Sequence, residues 1–265
     1  MMKQLIPEFA KVLKRKDETS DTFSIVLETK IKHDPGQFVE LGIPGIGEAP
    51  ISIASYSKGS LTLTIRKVGN VTNALAKVKK GDKITVRGPY GKGYPMDSLK
   101  GNSIVIIGGG CGVAPLKCVI DFISQHRDDY DDIHLFLGYR SPSDILYEDK
   151  LAAWKKDFKL TMTVDKNPGT TCYDAKVGFV TDAVKEKITD NDNKVVFLCG
   201  PPIMITNTIK LLKSKGFHDD QMFISEERLM HCGIGICCHC MIHEKFTCMD
   251  GPVFRYDEIK DYHND

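Results

Sequence analysis

Ser103-Ile104-Val105-Ile106-Ile107-Gly108-Gly109-Gly110-Cys111-Gly112-Val113-Ala114-Pro115 decides the architecture of the middle of the chain. Ile104 to Ile107 has no polar face, the pattern of a parallel strand buried on both sides. The glycines follow at once, and Leu116, Val119, Ile120 and Ile123 then recur at helical spacing. Strand, glycine loop and helix in that order suit a dinucleotide pyrophosphate: Gly109, Gly110 and Gly112 let backbone approach the phosphates, and the helix N-terminus supplies unpaired N–H groups. Pro115 fits the first helical turn. Val113 stands where the third glycine of G-x-G-x-x-G would be, so context carries more of this reading than the motif does.

The same alternation continues toward the C-terminus. Strands are expected at Ile133 to Leu137, Leu160 to Val164 and Val195 to Leu198, with helices between Ile145 and Trp154 and between Thr181 and Ile188. That is a doubly wound parallel sheet. Cys199-Gly200-Pro201-Pro202 follows the last of these strands, which puts Gly200 and Pro201 at the nucleotide edge. The Cys199 thiol either lines a nicotinamide pocket or packs as a small core residue. Cys111, Cys118 and Cys172 lack partners at ligand spacing and are expected to be buried small residues. Gly138-Tyr139-Arg140-Ser141 ends the second strand without a carboxylate for a ribose. Arg140 and Ser141 suit a 2′-phosphate, or Arg140 pairs structurally, so NADH and NADPH both remain open.

Toward the N-terminus the period changes to two. Phe23, Ile25 and Leu27 alternate with polar residues, as do Leu61, Leu63 and Ile65, between turns at Asp34-Pro35-Gly36 and Lys58-Gly59. The expectation is a small antiparallel barrel with one helix from Thr72 to Lys80 capping an end. Two of its stretches are cofactor candidates: Pro50-Ile51-Ser52-Ile53, which sets a hydroxyl in an apolar strand, and Arg66-Lys67-Val68-Gly69-Asn70-Val71-Thr72, a turn that can cradle a phosphate. The alternatives are an ordinary strand serine and an ordinary N-cap threonine.

Past the sheet, Cys232, Cys237 and Cys240 stand at C-x4-C-x2-C, and Cys248 follows after seven intervening residues. This spacing wraps four thiolates around a plant-type [2Fe–2S] cluster, with Gly233 and Gly235 letting the loop fold tightly over the sulfides. A structural zinc site usually shows paired C-x2-C knuckles, and only Cys237-x2-Cys240 resembles one. Cys238 is a bystander or a competing second ligand. His239 and His243 are loop residues beside the site.

Two domains and a small lobe fit 265 residues: residues 1–99 as a barrel, 100–226 as a nucleotide-binding unit and 227–265 as a cysteine lobe. A net charge of +1 with no block of like charge excludes a nucleic-acid surface. No signal peptide or membrane span is expected, which points to the cytoplasm, where free thiols persist.

With these parts placed, the chain resembles the ferredoxin–NADP reductase superfamily over nearly its full length, and within it the branch with a C-terminal [2Fe–2S] lobe. The resemblance implies FAD in the barrel, with Ser52 at the flavin ring and Gly69 and Thr72 at its pyrophosphate, and a nicotinamide nucleotide on Gly108 to Pro115 and Cys199 to Pro202. It implies electron flow from NADH (or NADPH) through FAD and the cluster, with Ser52 and Cys199 as the catalytic positions and partner subunits that carry further iron–sulfur or sirohaem centres. The short last gap and Asp250-Gly251-Pro252-Val253-Phe254 resemble the electron-transfer subunits of sulfite reductases and soluble hydrogenases more than the dihydroorotate type; the anaerobic sulfite reductase B subunits are favoured. Ala49 stands where the superfamily often has an arginine, which leaves the pyrophosphate to Arg66 and backbone. A redox-sensing module that holds flavin or zinc without catalysis is the reading from another class.

Overall fold

A computed structural model describes residues 5–166 and 174–261; Cys172 lies outside them. The N-terminal third forms a six-stranded antiparallel sheet from β1 (Glu8–Asp17), β2 (Thr22–Glu28), β3 (Phe38–Ile43), β4 (Gly47–Ser52), β5 (Ser60–Arg66) and β6 (Lys83–Tyr90), in the order β4-β3-β6-β1-β2-β5. The alternating residues meet one another: Phe23 lies opposite Ile65, Ile25 opposite Leu63 and Leu27 opposite Leu61. All six are buried in one core. Past β4, Ile53 bridges Leu63 of β5, which curls the sheet into a barrel.

The capping helix, α1, spans Asn70–Leu75 rather than 72–80. Beyond it the backbone tightens, with Lys77 N–H bonding Ala74 O and Val78 N–H bonding Leu75 O. Gly81 N–H then donates to Val12 O and Val12 N–H to Asp82 O. The sheet takes these backbone groups, and Val78 packs inward instead of following a helical face.

The second sheet contains β7 (Ser103–Gly109), β8 (Ile133–Tyr139), β9 (Lys159–Val164), β10 (Ala175–Val177), β11 (Lys194–Cys199), β12 (Met222–Ser225) and β15 (Val253–Arg255). Its order is β10-β9-β8-β7-β11-β12-β15, and every neighbour pair except β12–β15 is parallel. The apolar run of β7 divides between two cores. Ile104 and Ile106 pack with α2 (Val113–Gln125) and α3 (Glu148–Asp157), while Val105 and Ile107 pack with α4 (Val180–Lys187) and α5 (Pro202–Ser214). Burial on both faces is why this strand carries no alternation.

The cysteine loop and a two-stranded hairpin, β13 (Met241–Ile242) with β14 (Lys245–Phe246), follow β12. The chain then returns to the second sheet, because Val253 pairs with Ser225 and Arg255 with Phe223. Residues 253–255, in the stretch the sequence assigns to the lobe, are therefore that sheet's antiparallel edge. Three residues after Gly251-Pro252 are too few for periodicity to reveal them. No helix among the described residues is long and apolar enough to cross a membrane.

Candidate active site and cluster loop

A cleft of about 700 Å³ opens between the barrel and the carboxyl edge of the second sheet. Its barrel wall is the β1–β2 turn with the end of β5: Asp21 Oδ2 accepts from Arg66 Nε at 3.0 Å. Its other wall is the glycine loop. Gly110 has φ +53° and open space where a Cβ would lie, whereas a Cβ on Gly112 would sit 2.7 Å from the backbone of Cys199 and Gly200. One glycine leaves room in the cleft, and the other lets the β7 and β11 loops touch. Gly109, Gly200 and Pro201 complete that wall. Pro115 lies in the first turn of α2, buried, and shapes the helix without lining the cleft.

The other barrel candidates divide by strand alternation. Ile51 and Ile53 point into the barrel core and offer a ligand only backbone, while Pro50 and Ser52 are half-buried on the opposite face. In the phosphate-cradle turn, the Thr72 hydroxyl accepts from Val68 N–H and Gly69 N–H at 3.0 Å each and donates to Gly69 O. Thr72 thus closes the turn, Val68 is exposed, and the first-turn N–H groups of α1 are those left without intrahelical partners.

Of two cysteines near the cleft, Cys199 takes the core alternative and Cys111 departs from expectation. Cys199 is only 2% exposed, beside Ser225, and burial pushes its thiol well above the ordinary range; it does not line the cleft. Cys111, expected in the core, lines the cleft instead, with burial raising its thiol to about 11. It follows Gly110, whose left-handed backbone turns the loop toward the cleft. Cys118 is buried as expected, its thiol bonding Ser55 O across to the barrel.

A carboxylate does stand at the end of the second strand, five residues along the chain from Tyr139. Asp144 sits in a 3₁₀ turn after β8 and holds both nucleotide candidates, accepting from Arg140 Nη2 at 3.1 Å and from Ser141 Oγ at 2.6 Å. Asp165, directly after β9, lines the same cleft. Arg140 is thus already neutralised, and two acids stand near it. Glu227, just beyond β12, also lines the cleft, and desolvation raises its carboxyl. Sequence order separates these acids from the glycine loop, so no motif could gather them.

Four thiols adjoin in pairs in the cysteine loop: Cys237 beside Cys232, and Cys248 beside Cys240. Gly233 and Gly235 take φ +74° and +72°, as the tight wrap requires. Backbone then points at sulfur: Ile234 and Ile236 N–H donate to Cys232 Sγ at 3.4 Å, and Gly235 N–H to Cys248 Sγ at 3.1 Å. N–H groups on His239 and Cys232 hold the Cys237 thiol below its ordinary range. These donors reach Cys232, Cys237 and Cys248, and N–H groups aimed at sulfur suit thiolate ligands. Cys238 takes φ +60° and is exposed, its sulfur turned toward Ile236 O. The ring of His239 packs edge-on against His231.

Three family models match this chain in succession: the oxidoreductase FAD-binding domain over residues 10–94, the oxidoreductase NAD-binding domain over 106–210, and the iron–sulfur cluster binding domain of dihydroorotate dehydrogenase B over 227–260. The sulfhydrogenase 1 subunit gamma of Pyrococcus furiosus is 37% identical, with 88% of this chain and 82% of that protein aligned. A probable dihydroorotate dehydrogenase B (NAD(+)) electron transfer subunit of the same organism is 33% identical, over 86% and 82%. Among solved structures, a chain of the NADH-dependent reduced ferredoxin-NADP oxidoreductase superimposes with a TM-score of 0.78 at 24% identity, covering 96% of this chain and 92% of its own.

Proposed function

The chain belongs to the FAD- and NAD-binding, ferredoxin reductase-like oxidoreductases that carry an iron–sulfur binding domain, and from that membership we propose that it takes hydride from NADH and delivers electrons singly, through FAD and a [2Fe–2S] cluster, to a partner reductase subunit. The observation that carries this reading is that one barrel serves two sites. Its β5 end walls the cleft, while Phe38 of β3 and Tyr90 of β6 pack under the cysteine loop. FAD, when bound, converts a two-electron hydride into single electrons.

In this proposal the glycine loop and Pro201 seat the nucleotide, and Asp144 and Asp165 disfavour a 2′-phosphate by charge, so NADH is the donor. Arg66 reaches the flavin pyrophosphate once it leaves Asp21, and Ser52 hydrogen-bonds the flavin edge. Cys199, its thiol sealed away, acts through its backbone, which packs against Gly112 and holds the two cleft loops together. Cys232, Cys237, Cys240 and Cys248 hold the cluster. Such thiolates need a reducing compartment, the cytoplasm.

The short final gap and the Asp250 to Phe254 segment favour a sulfite-reducing partner with iron–sulfur or sirohaem centres. The 37% identity to a sulfhydrogenase gamma subunit favours a hydrogenase partner as the second reading. Anaerobic purification with whatever subunits accompany the chain separates them. NADH should bleach the flavin and iron–sulfur absorption, then support sulfite reduction under the first reading and hydrogen evolution under the second. A colourless protein that binds zinc sinks both.

A further inference from the structure

We propose that Arg87 is the positioning residue that fixes the cluster loop against the flavin barrel, and so sets the flavin-to-cluster separation; this rests on the order of carriers above. Arg87 lies on β6, only 6% exposed, directly opposite Glu40 of β3. A buried guanidinium needs acceptors for its N–H groups. Arg87 finds them on both sides of a junction. On the barrel side, Nε donates to Glu48 Oε2 at 2.8 Å and Nη1 to the Tyr90 hydroxyl at 3.0 Å. On the loop side, Nη1 donates to Cys232 O at 2.7 Å and Nη2 to His231 O at 2.8 Å.

Those two carbonyls open the ligand loop, and Cys232 is its first thiol. A planar fork that grips successive carbonyls fixes orientation as well as distance, which a lysine ammonium cannot do. Tyr90 provides the surface the loop rests on. Its ring packs against Phe38 and lies 3.2 Å from where a Gly233 Cβ would be, so the loop backbone sits directly on the ring. Met230, Ile234, Cys240 and Cys248 share a core with Phe38 and Tyr90. The loop's apolar residues close on that ring, and Arg87 is the polar contact that ties its first ligand to the barrel. Electron tunnelling falls steeply with distance, and a loop that drifts slows transfer even when all four thiols stay in place.

Charge and geometry are separated by two variants of the holoprotein. Arg87→Gln removes both the charge and the fork; Arg87→Lys keeps the charge. Cluster midpoint potential should move to more negative values in Arg87→Gln, because a positive charge beside the cluster favours its reduced form, and should return toward wild type in Arg87→Lys. Hydrogen-exchange protection of the Ile234, Gly235 and Ile236 amides should fall in both variants by at least about tenfold, the loss of a charge-assisted hydrogen bond. Flavin-to-cluster transfer in stopped flow should slow in both, with flavin bleaching by NADH unchanged. Wild-type protection and transfer in Arg87→Lys would overturn the proposal, leaving charge alone to matter. If Arg87→Lys fails to retain iron, Tyr90→Phe decides by the same measurements: a smaller loss of protection supports the anchor and none overturns it. A wild-type protein whose reduced flavin never reduces the cluster would overturn the carrier order instead, and the exchange measurement would still judge the anchor.

Discussion

The doubly wound sheet and the cysteine loop are held together in opposite ways. The sheet has a core on each face, built almost entirely from its own strands and helices. The loop borrows its core from the barrel through Phe38 and Tyr90 and its polar anchor through Arg87. Long apolar strands can be buried by neighbours in sequence, whereas a loop wrapped around a metal centre spends its residues on ligation and glycine turns. Such a loop is positioned by whatever it rests on.

The sharpest way to break this contrast is to damage each region and ask what else falls. Phe197 is fully buried between Tyr94 and Phe223, so Phe197→Ala should cost about 3–5 kcal/mol and unfold the sheet together with its cleft. Equilibrium denaturation measures it, and a loss below about 1 kcal/mol would mean the core repacks far more readily than close packing permits. Cys240→Ser should act locally: iron is lost, while flavin is retained and still bleached by NADH. Finding the flavin unbleached would show that the loop supports the cleft as well as resting on the barrel. Cys238→Ser, with its thiol outside the set of four, should keep full iron content.

A smaller effect probes the junction itself. Glu40 is 1% exposed with Oε1 unpartnered, and desolvation raises its carboxyl from 4.5 to about 8 despite Arg87 alongside. The folded state then holds a proton that the unfolded state releases, so stability should fall as pH rises from about 4.5 to about 8 and level off above. Glu40→Gln should flatten that slope and be more stable than wild type at pH 8 by roughly 1 kcal/mol or more. Denaturation of both proteins at pH 5 and pH 8 checks it, and equal slopes would show that Glu40 is charged when folded.

The mildest perturbation lies at the edge of the cleft. Asp144→Ala should free Arg140 and Ser141 and improve NADPH relative to NADH by about tenfold, the value of one charge-assisted contact. Arg140→Ala should change that ratio little, because the arginine is already paired. Ratios of kcat/KM for the two nucleotides settle it: a large effect of Arg140→Ala would show that Asp144 does not neutralise it.

Sequence alone determined what depends on near neighbours along the chain. Period two gave Phe23, Ile25 and Leu27, and likewise Leu61, Leu63 and Ile65, a common buried face, because a strand presents alternate residues to one side; the fold set the two faces against each other. The unbroken run Ile104 to Ile107 gave a strand buried on both faces, and Gly233 and Gly235 gave the left-handed turns of the cysteine loop, since both are local geometry. Tertiary structure decided what depends on residues far apart in sequence. It turned Cys199 inward and Cys111 toward the cleft, stopped α1 at Leu75 and paired Val253 with Ser225. It also set Arg87 under Cys232, 145 positions away. An arginine in the middle of a strand has no periodic signature; only the fold brings it the two carbonyls that give it a role.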